Sequence, residues 1–175
     1  MHEIISDKLF FRTLTEKDVT EEYVSWLNSR QINQFLEVRH TVHTLASVLN
    51  FVSLKNDLDS EYLFGIFCKN KNKHIGNVKI GNINRIYLTG ELSLFIGDKN
   101  YLGRRLASEI IGSLTDYGFN YLGLKKMCAG CYETNIKSMK SFLRCGYEIE
   151  GILKNQVINN GKRENLIKLG ISSGV

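Results

Sequence analysis

The sequence predicts an α+β fold, a mostly antiparallel sheet with helices packed on it. Three observations carry that expectation. Up to Asn56 apolar residues recur at helical spacing, and from Tyr62 they fall in short β-rich runs. A second helical stripe interrupts those runs: Leu106, Ala107, Ile110, Ile111, Leu114 and Tyr117 lie on one face. The chain then closes on two extended segments around a turn at Asn159–Asn160–Gly161. A length of 175 residues suits a single domain over 1–175.

Each element follows from its own residues. Leu9–Thr15 reads as a first strand. Thr15–Ser29 reads as a helix, with Thr15 and Asp18 as N-caps and Val19, Tyr23, Val24, Trp26 and Leu27 as its apolar face. Leu45, Val48, Leu49 and Val52 mark a second helix over Thr44–Asn56. Tyr62–Cys68 and His74–Ile83 read as strands joined by the turn-forming KNKNK, and Gly90–Gly97 as a third. After the helix that begins at Leu106, Lys125–Glu133 reads as a strand and Asn135–Cys145 as a short helix stopped by Gly146. Proline is absent, so glycine supplies the breaks. The expected order is β-α-α-β-β-β-α-β-α-β-β.

Composition narrows the function. Hydrophobic residues make up 43% and charged residues 23%, enough apolar side chains for a folded core. No apolar run approaches the ~20 residues of a membrane span. The first residues, MHEIISDKLFF, have neither a basic nor a long apolar region, so no secretory leader and a cytoplasmic location are expected. Cys68, Cys128, Cys131 and Cys145 then read as reduced thiols. Cys128 and Cys131 form a CxxC, but residues three apart on a strand face opposite sides, and no second pair exists to complete a zinc site. His40 and His43 read as solvated side chains near a helix start, so no metal is expected. The net charge of +5 favours an anionic partner. With no Lys/Arg block or nucleic-acid motif, a phosphate-bearing cofactor is favoured over nucleic acid.

A place for that phosphate stands between the strand Leu92–Ile96 and the helix at Leu106. A helix N-terminus presents N–H donors without partners and a partial positive charge. Fed directly by a strand, it converges on an anion. Gly103 removes a Cβ where a ligand must come close, and Arg104 and Arg105 add forked donors. Spacing alone favours an ordinary basic loop.

The order of several short segments adds weight. Leu102-Gly103-Arg104-Arg105-Leu106-Ala107-Ser108-Glu109 is followed by Asn135-Ile136-Lys137-Ser138, then by Gly146-Tyr147 and Glu150-Gly151. IGNVKIGNI and EYVSWLNS precede them. In that order they resemble the GNAT acetyltransferase superfamily, especially its RimJ/RimL-like branch, over most of the chain. Two positions depart from the pattern. The second loop glycine of the family is Arg105 here, and the position where many members carry a general-acid tyrosine is Phe142.

The resemblance implies a mixed, mostly antiparallel sheet with helices on both faces, acetyl-CoA as donor, and a primary amine as acceptor. It implies that the edge at Leu94, Phe95 and Ile96 pairs with pantetheine. Leu102, Gly103, Arg104, Arg105, Leu106, Ala107 and Ser108 would hold the diphosphate, with Asn135 contacting the cofactor. Glu91 matches an acidic residue that takes the amine proton, directly or through water, and an exposed strand-end carboxylate is an equal alternative. Ser138 is the available hydroxyl for the departing thiolate. Trp26, Asn28 and Arg30 fall on the acceptor side. The branch acts on protein N-terminal amines, on amino sugars carried by nucleotides and on small amines, and a monomer or homodimer is expected. No acidic cluster for a polycation stands out. A non-catalytic acyl-CoA- or partner-binding module of the same fold is the alternative.

Overall fold

The computed structural model describes residues 3–56 and 60–174. Two strands open the chain, β1 (Glu3–Ile5) and β2 (Leu9–Thr13). Three helices follow: α1 (Glu21–Asn28), α2 (Arg30–Asn33) and α3 (Leu45–Asn56). Strands β3 (Tyr62–Cys68), β4 (Lys73–Asn84) and β5 (Thr89–Ile96) come next, then α4 (Leu106–Asn120) and β6 (Lys126–Tyr132). The chain ends with α5 (Ile136–Arg144), β7 (Glu148–Asn159) and β8 (Lys162–Ser172).

The strands form one eight-stranded sheet in the order β1-β2-β3-β4-β5-β6-β8-β7. Every neighbouring pair is antiparallel except β5 with β6. The fold is thus the α+β class expected, with helices on both faces. On one face α4 packs Leu106, Ile110, Ile111 and Leu114 against Phe11, Phe64, Val78 and Leu92. On the other, α1 and α3 bury Tyr23, Trp26, Leu27, Val48 and Val52 with Leu63 and Leu14. Strand β3 is covered on both sides, so Leu63 and Phe64 point to different cores.

Three expectations change, the first being that α2 stands as an extra short turn of helix between the two expected helices. β1 is an additional strand, and it bears no strand pattern because only its middle residue is partly covered. The turn after it docks on α4, where the Glu109 carboxylate accepts from the Lys8 backbone at 2.7 Å and from the Ser6 hydroxyl at 2.6 Å. The helix expected over Thr15–Ser29 is broken. Glu16–Asp18 forms a single 3-10 turn closed by a Thr15–Asp18 capping box. Thr20 then restarts the chain as the N-cap of α1, accepting from the Tyr23 amide. The closing turn has Asn160 at φ 49° and Gly161 at φ 77°, the left-handed pair that a two-residue hairpin turn needs.

Candidate functional site

The single parallel pairing creates the site. β5 and β6 are joined only from Thr89–Lys126 to Glu91–Cys128. Beyond that point β5 stays on β4 as far as Gly76–Ile96, while β6 stays on β8 as far as Tyr132–Leu166. The two strands therefore part at Glu91, and among the described residues the edge of β5 from Leu92 to Ile96 has no strand partner on that side. Leu94, Phe95 and Ile96 are half-buried there.

The loop from β5 into α4 is held from below. The amides of Gly97 and Asp98 both donate to the Ile75 carbonyl, at 2.8 and 3.1 Å. The Asp98 carboxylate accepts from the Asn100 amide at 2.9 Å and from Lys73 at 2.7 Å. Burial pushes its pKa up, but these donors outweigh it and hold it low. Above this anchor, Leu102, Gly103, Arg104 and Arg105 are exposed. Gly103 has φ 75°, and a Cβ added there meets nothing within 4 Å. Arg105 is left-handed at φ 60° and ψ 18°, the conformation a glycine adopts readily. It occupies the N-cap position of α4, and no side chain caps that end. Leu106 is buried, Ala107 and Ser108 are half-buried, and the Cys145 thiol donates to the Ser108 carbonyl at 3.3 Å. The Arg104 guanidinium lies 5.3 Å from the Tyr101 ring centre. A long helix thus presents an uncapped N-terminus in an open, arginine-flanked loop, which fits the diphosphate of acetyl-CoA.

Beside the wedge lies a cavity of about 690 Å³ on the α1 and α3 face. Asn77, Lys79, Glu91 and Ser93 form its floor, and Val38, Val48 and Phe51 stand opposite. β4 and β5 change register between Gly81 and Asn84. Within that irregularity Asn82 has φ 51°, and its side-chain amide donates to Glu91 Oε2 at 2.9 Å. Lys168, from β8, reaches Glu91 Oε1 at 3.4 Å. Asn135 lines the cavity and caps α5, its Oδ1 accepting from the Ser138 amide at 3.4 Å. The Ser138 hydroxyl accepts from the Cys131 thiol at 3.5 Å, and burial pushes that thiol's pKa up. Phe142 is buried with its ring 5.0 Å from Tyr147, so that position offers no hydroxyl to the wedge.

The structure brings Glu91, Leu94, Phe95 and Asn135 to one cavity, with Ser138 beside it. Ile96 and the loop residues Leu102–Ser108 lie outside its walls, and so do the three residues expected on the acceptor side. Trp26 is buried against His74 and Phe95. Asn28 ties α1 to the segment before α3, donating to the His43 carbonyl at 2.8 Å and accepting from its amide at 2.9 Å. Arg30 donates to Asn160 at 2.6 Å, joining α2 to the closing turn. His40 is exposed as expected, but His43 lines the cavity and bonds the Val38 carbonyl at 2.8 Å. Asn82, Lys168, Asn77 and Cys131 were not singled out for this site from sequence. Only the fold assembles them, and no local pattern marks them. Among the described residues no group of His, Cys, Asp or Glu could hold a metal, and no helix is long and apolar enough to cross a membrane.

Comparison with known proteins bears on the family and the fold. The family described as "Acetyltransferase (GNAT) domain" matches residues 8–148. The probable N-acetyltransferase YjcK of Bacillus subtilis is 33% identical over 107 residues, 61% of this chain and 59% of that protein. The spermidine N(1)-acetyltransferase of Escherichia coli K12 is 29% identical over 112 residues, 64% of this chain and 59% of that protein. The chain therefore aligns with somewhat under two thirds of each. The crystal structure of spermidine N-acetyltransferase from Vibrio cholerae in complex with CoA and spermine superposes with a TM-score of 0.86 at 22% identity, covering 94% of this chain and 95% of that one. At that identity the likeness speaks for the fold. With the family match spanning most of its length, the chain belongs to the GNAT acetyltransferase family.

Proposed function

We propose that the chain transfers the acetyl group of acetyl-CoA to a small primary amine by direct attack of the amine on the thioester. One observation carries this reading. The uncapped N-terminus of α4 ends the loop that leaves a strand whose edge is free, and a carboxylate stands where that edge begins. A diphosphate on the α4 amides and Arg104 would let a peptide-like pantetheine run along Leu94–Ile96. The thioester then points toward Glu91 and the cavity.

The residues divide the remaining work. An ammonium has no lone pair, so a base must take its proton before attack. Glu91 performs this directly or through a water, its orientation fixed by Asn82 and Lys168. Backbone donors on the free edge of β5 stabilise the oxyanion. The Ser138 hydroxyl protonates the leaving thiolate, since Phe142 has none to give. The RimJ/RimL-like branch is the finer assignment we favour. Of its acceptors, a small amine suits the cavity best, while a protein N-terminus or a nucleotide-borne amino sugar would insert only its amine-bearing end.

A second reading rests on Arg105 and Phe142: a module that binds acyl-CoA without transfer. Incubation with acetyl-CoA and a panel of amines, followed by assay of free thiol, separates the two. Thiol release that depends on the amine supports transfer. Tight acetyl-CoA binding with no release across the panel supports the module.

A further inference from the structure

We infer that the acceptor is a primary monoamine carrying an apolar body, and not a polyamine. This rests on the proposed acetyl transfer and names the substrate class of the same cavity. The side facing the floor carries Leu27, Val38, Val42, Val48 and Phe51, and Leu63 lies beside Lys79 on the floor itself. Two of these are conspicuous for an uncovered surface: Val42 is 84% exposed and Phe51 39% exposed. Large apolar side chains left open around a concavity mark the place of an apolar ligand.

The charges argue the same way. A polyamine needs several carboxylates free to meet its ammonium groups. Among the described residues, two carboxylates line this cavity, Glu37 and Glu91. Glu37 already accepts from the Tyr132 hydroxyl, and Glu91 already accepts from Asn82 and Lys168. Lys79 projects from the same floor, with Glu61 as its partner at 3.4 Å. The Arg39 guanidinium lies over Tyr132, 5.1 Å from the ring centre. A second ammonium would meet these cations and an apolar wall. A single amine needs only one acceptor, which Glu91 supplies beside Asn82 and Lys168, and its hydrocarbon body lies against the apolar side under α3.

The test is calorimetric titration of the full chain, loaded with CoA, by ethylamine, butylamine, isoamylamine, phenethylamine and spermidine. The expected result is a Kd that falls about fourfold for each added methylene, with spermidine at least tenfold weaker than phenethylamine. Phe51→Ser, at a partly exposed site, should weaken phenethylamine at least fivefold and leave the affinity for CoA unchanged. Spermidine binding as tightly as phenethylamine, a flat series, or no amine binding at all would overturn the inference. The thiol assay keeps the two claims apart. Apolar amines that bind without thiol release uphold this inference and remove the proposed transfer. Transfer that prefers spermidine upholds the chemistry and removes this inference.

Discussion

Trp26 lies on the backbone of Gly97 so closely that a Cβ on Gly97 would stand 2.1 Å from the ring carbon Cδ2. The contact locks α1 to the end of β5, where the loop toward α4 begins. It also explains why Trp26 is buried among Tyr23, His74 and Phe95 instead of facing the cavity. Gly97→Ala must push the indole away or bend β5. The expected outcome is a loss of about 1–3 kcal/mol in stability, read from urea unfolding. Weaker acetyl-CoA binding should accompany it, read by titration, because the displaced strand carries the diphosphate loop.

Arg105 sets two demands against each other. Its left-handed backbone at φ 60° is uncommon for a side chain with a Cβ, while its guanidinium adds charge beside the helix N-terminus. Arg105→Gly removes both the strain and the charge. We expect stability to rise by about 1 kcal/mol, seen in thermal unfolding, while the Kd for CoA rises severalfold. Arg105→Lys keeps the strain and most of the charge, so it should move both readings much less.

How far the sequence reveals these features depends on whether a signal is local. The bounds of β3 and of the α4 stripe were legible because burial imposes a repeat on neighbouring residues. The loop at Gly103–Arg105 was legible by residue type, but not the left-handed turn at Arg105. β1 was not legible, since three residues with one partly covered side chain carry no pattern, and its turn is held by Glu109 of α4. On the helical pattern Trp26 reads as core, and only the family resemblance sets it on the acceptor side; the structure buries it. The partner Lys168 is 77 residues from Glu91, and only the β5–β6–β8 arrangement brings it there.

Acid should loosen the junction between β2 and the 3-10 turn. Asp18 binds Arg12 through two bonds of 2.6 and 2.8 Å and accepts from the Thr15 amide and hydroxyl. Burial pushes its pKa up, but the Arg12 and Thr15 donors outweigh burial and bring it from 3.8 to about 2. The folded value lies below the unfolded one, so the contribution is complete above the ordinary carboxylate pKa and is lost as pH falls toward 2. Asp18→Asn should be less stable than the parent at pH 7. The gap should shrink between about pH 4 and pH 2, as followed by urea midpoints. A gap that stays constant over that window would show that the ion pair is not its source.

Glu91 offers the sharpest test of the chemistry. Glu91→Gln keeps the size of the side chain and one acceptor oxygen, enough for Asn82 or Lys168 but not both, and acetyl-CoA, proposed to be held along Leu94–Ile96 and at α4, should bind as before. What disappears is the proposed proton acceptor. Removing a positioned general base costs on the order of 10²-fold or more in rate, and that loss should appear in kcat with little change in the Kd for acetyl-CoA. The pH profile should change with it. Without an internal base, only amine already deprotonated in solution can attack, so the residual rate should climb with pH until the pKa of the amine itself, about 7.7–8.0 for an α-amine and about 10.4 for an alkyl amine such as that of lysine. Stopped-time thiol assays from pH 6 to 10 on parent and variant measure both effects. Equal rates across that range would remove Glu91 from the proton path and leave a solvent base in its place.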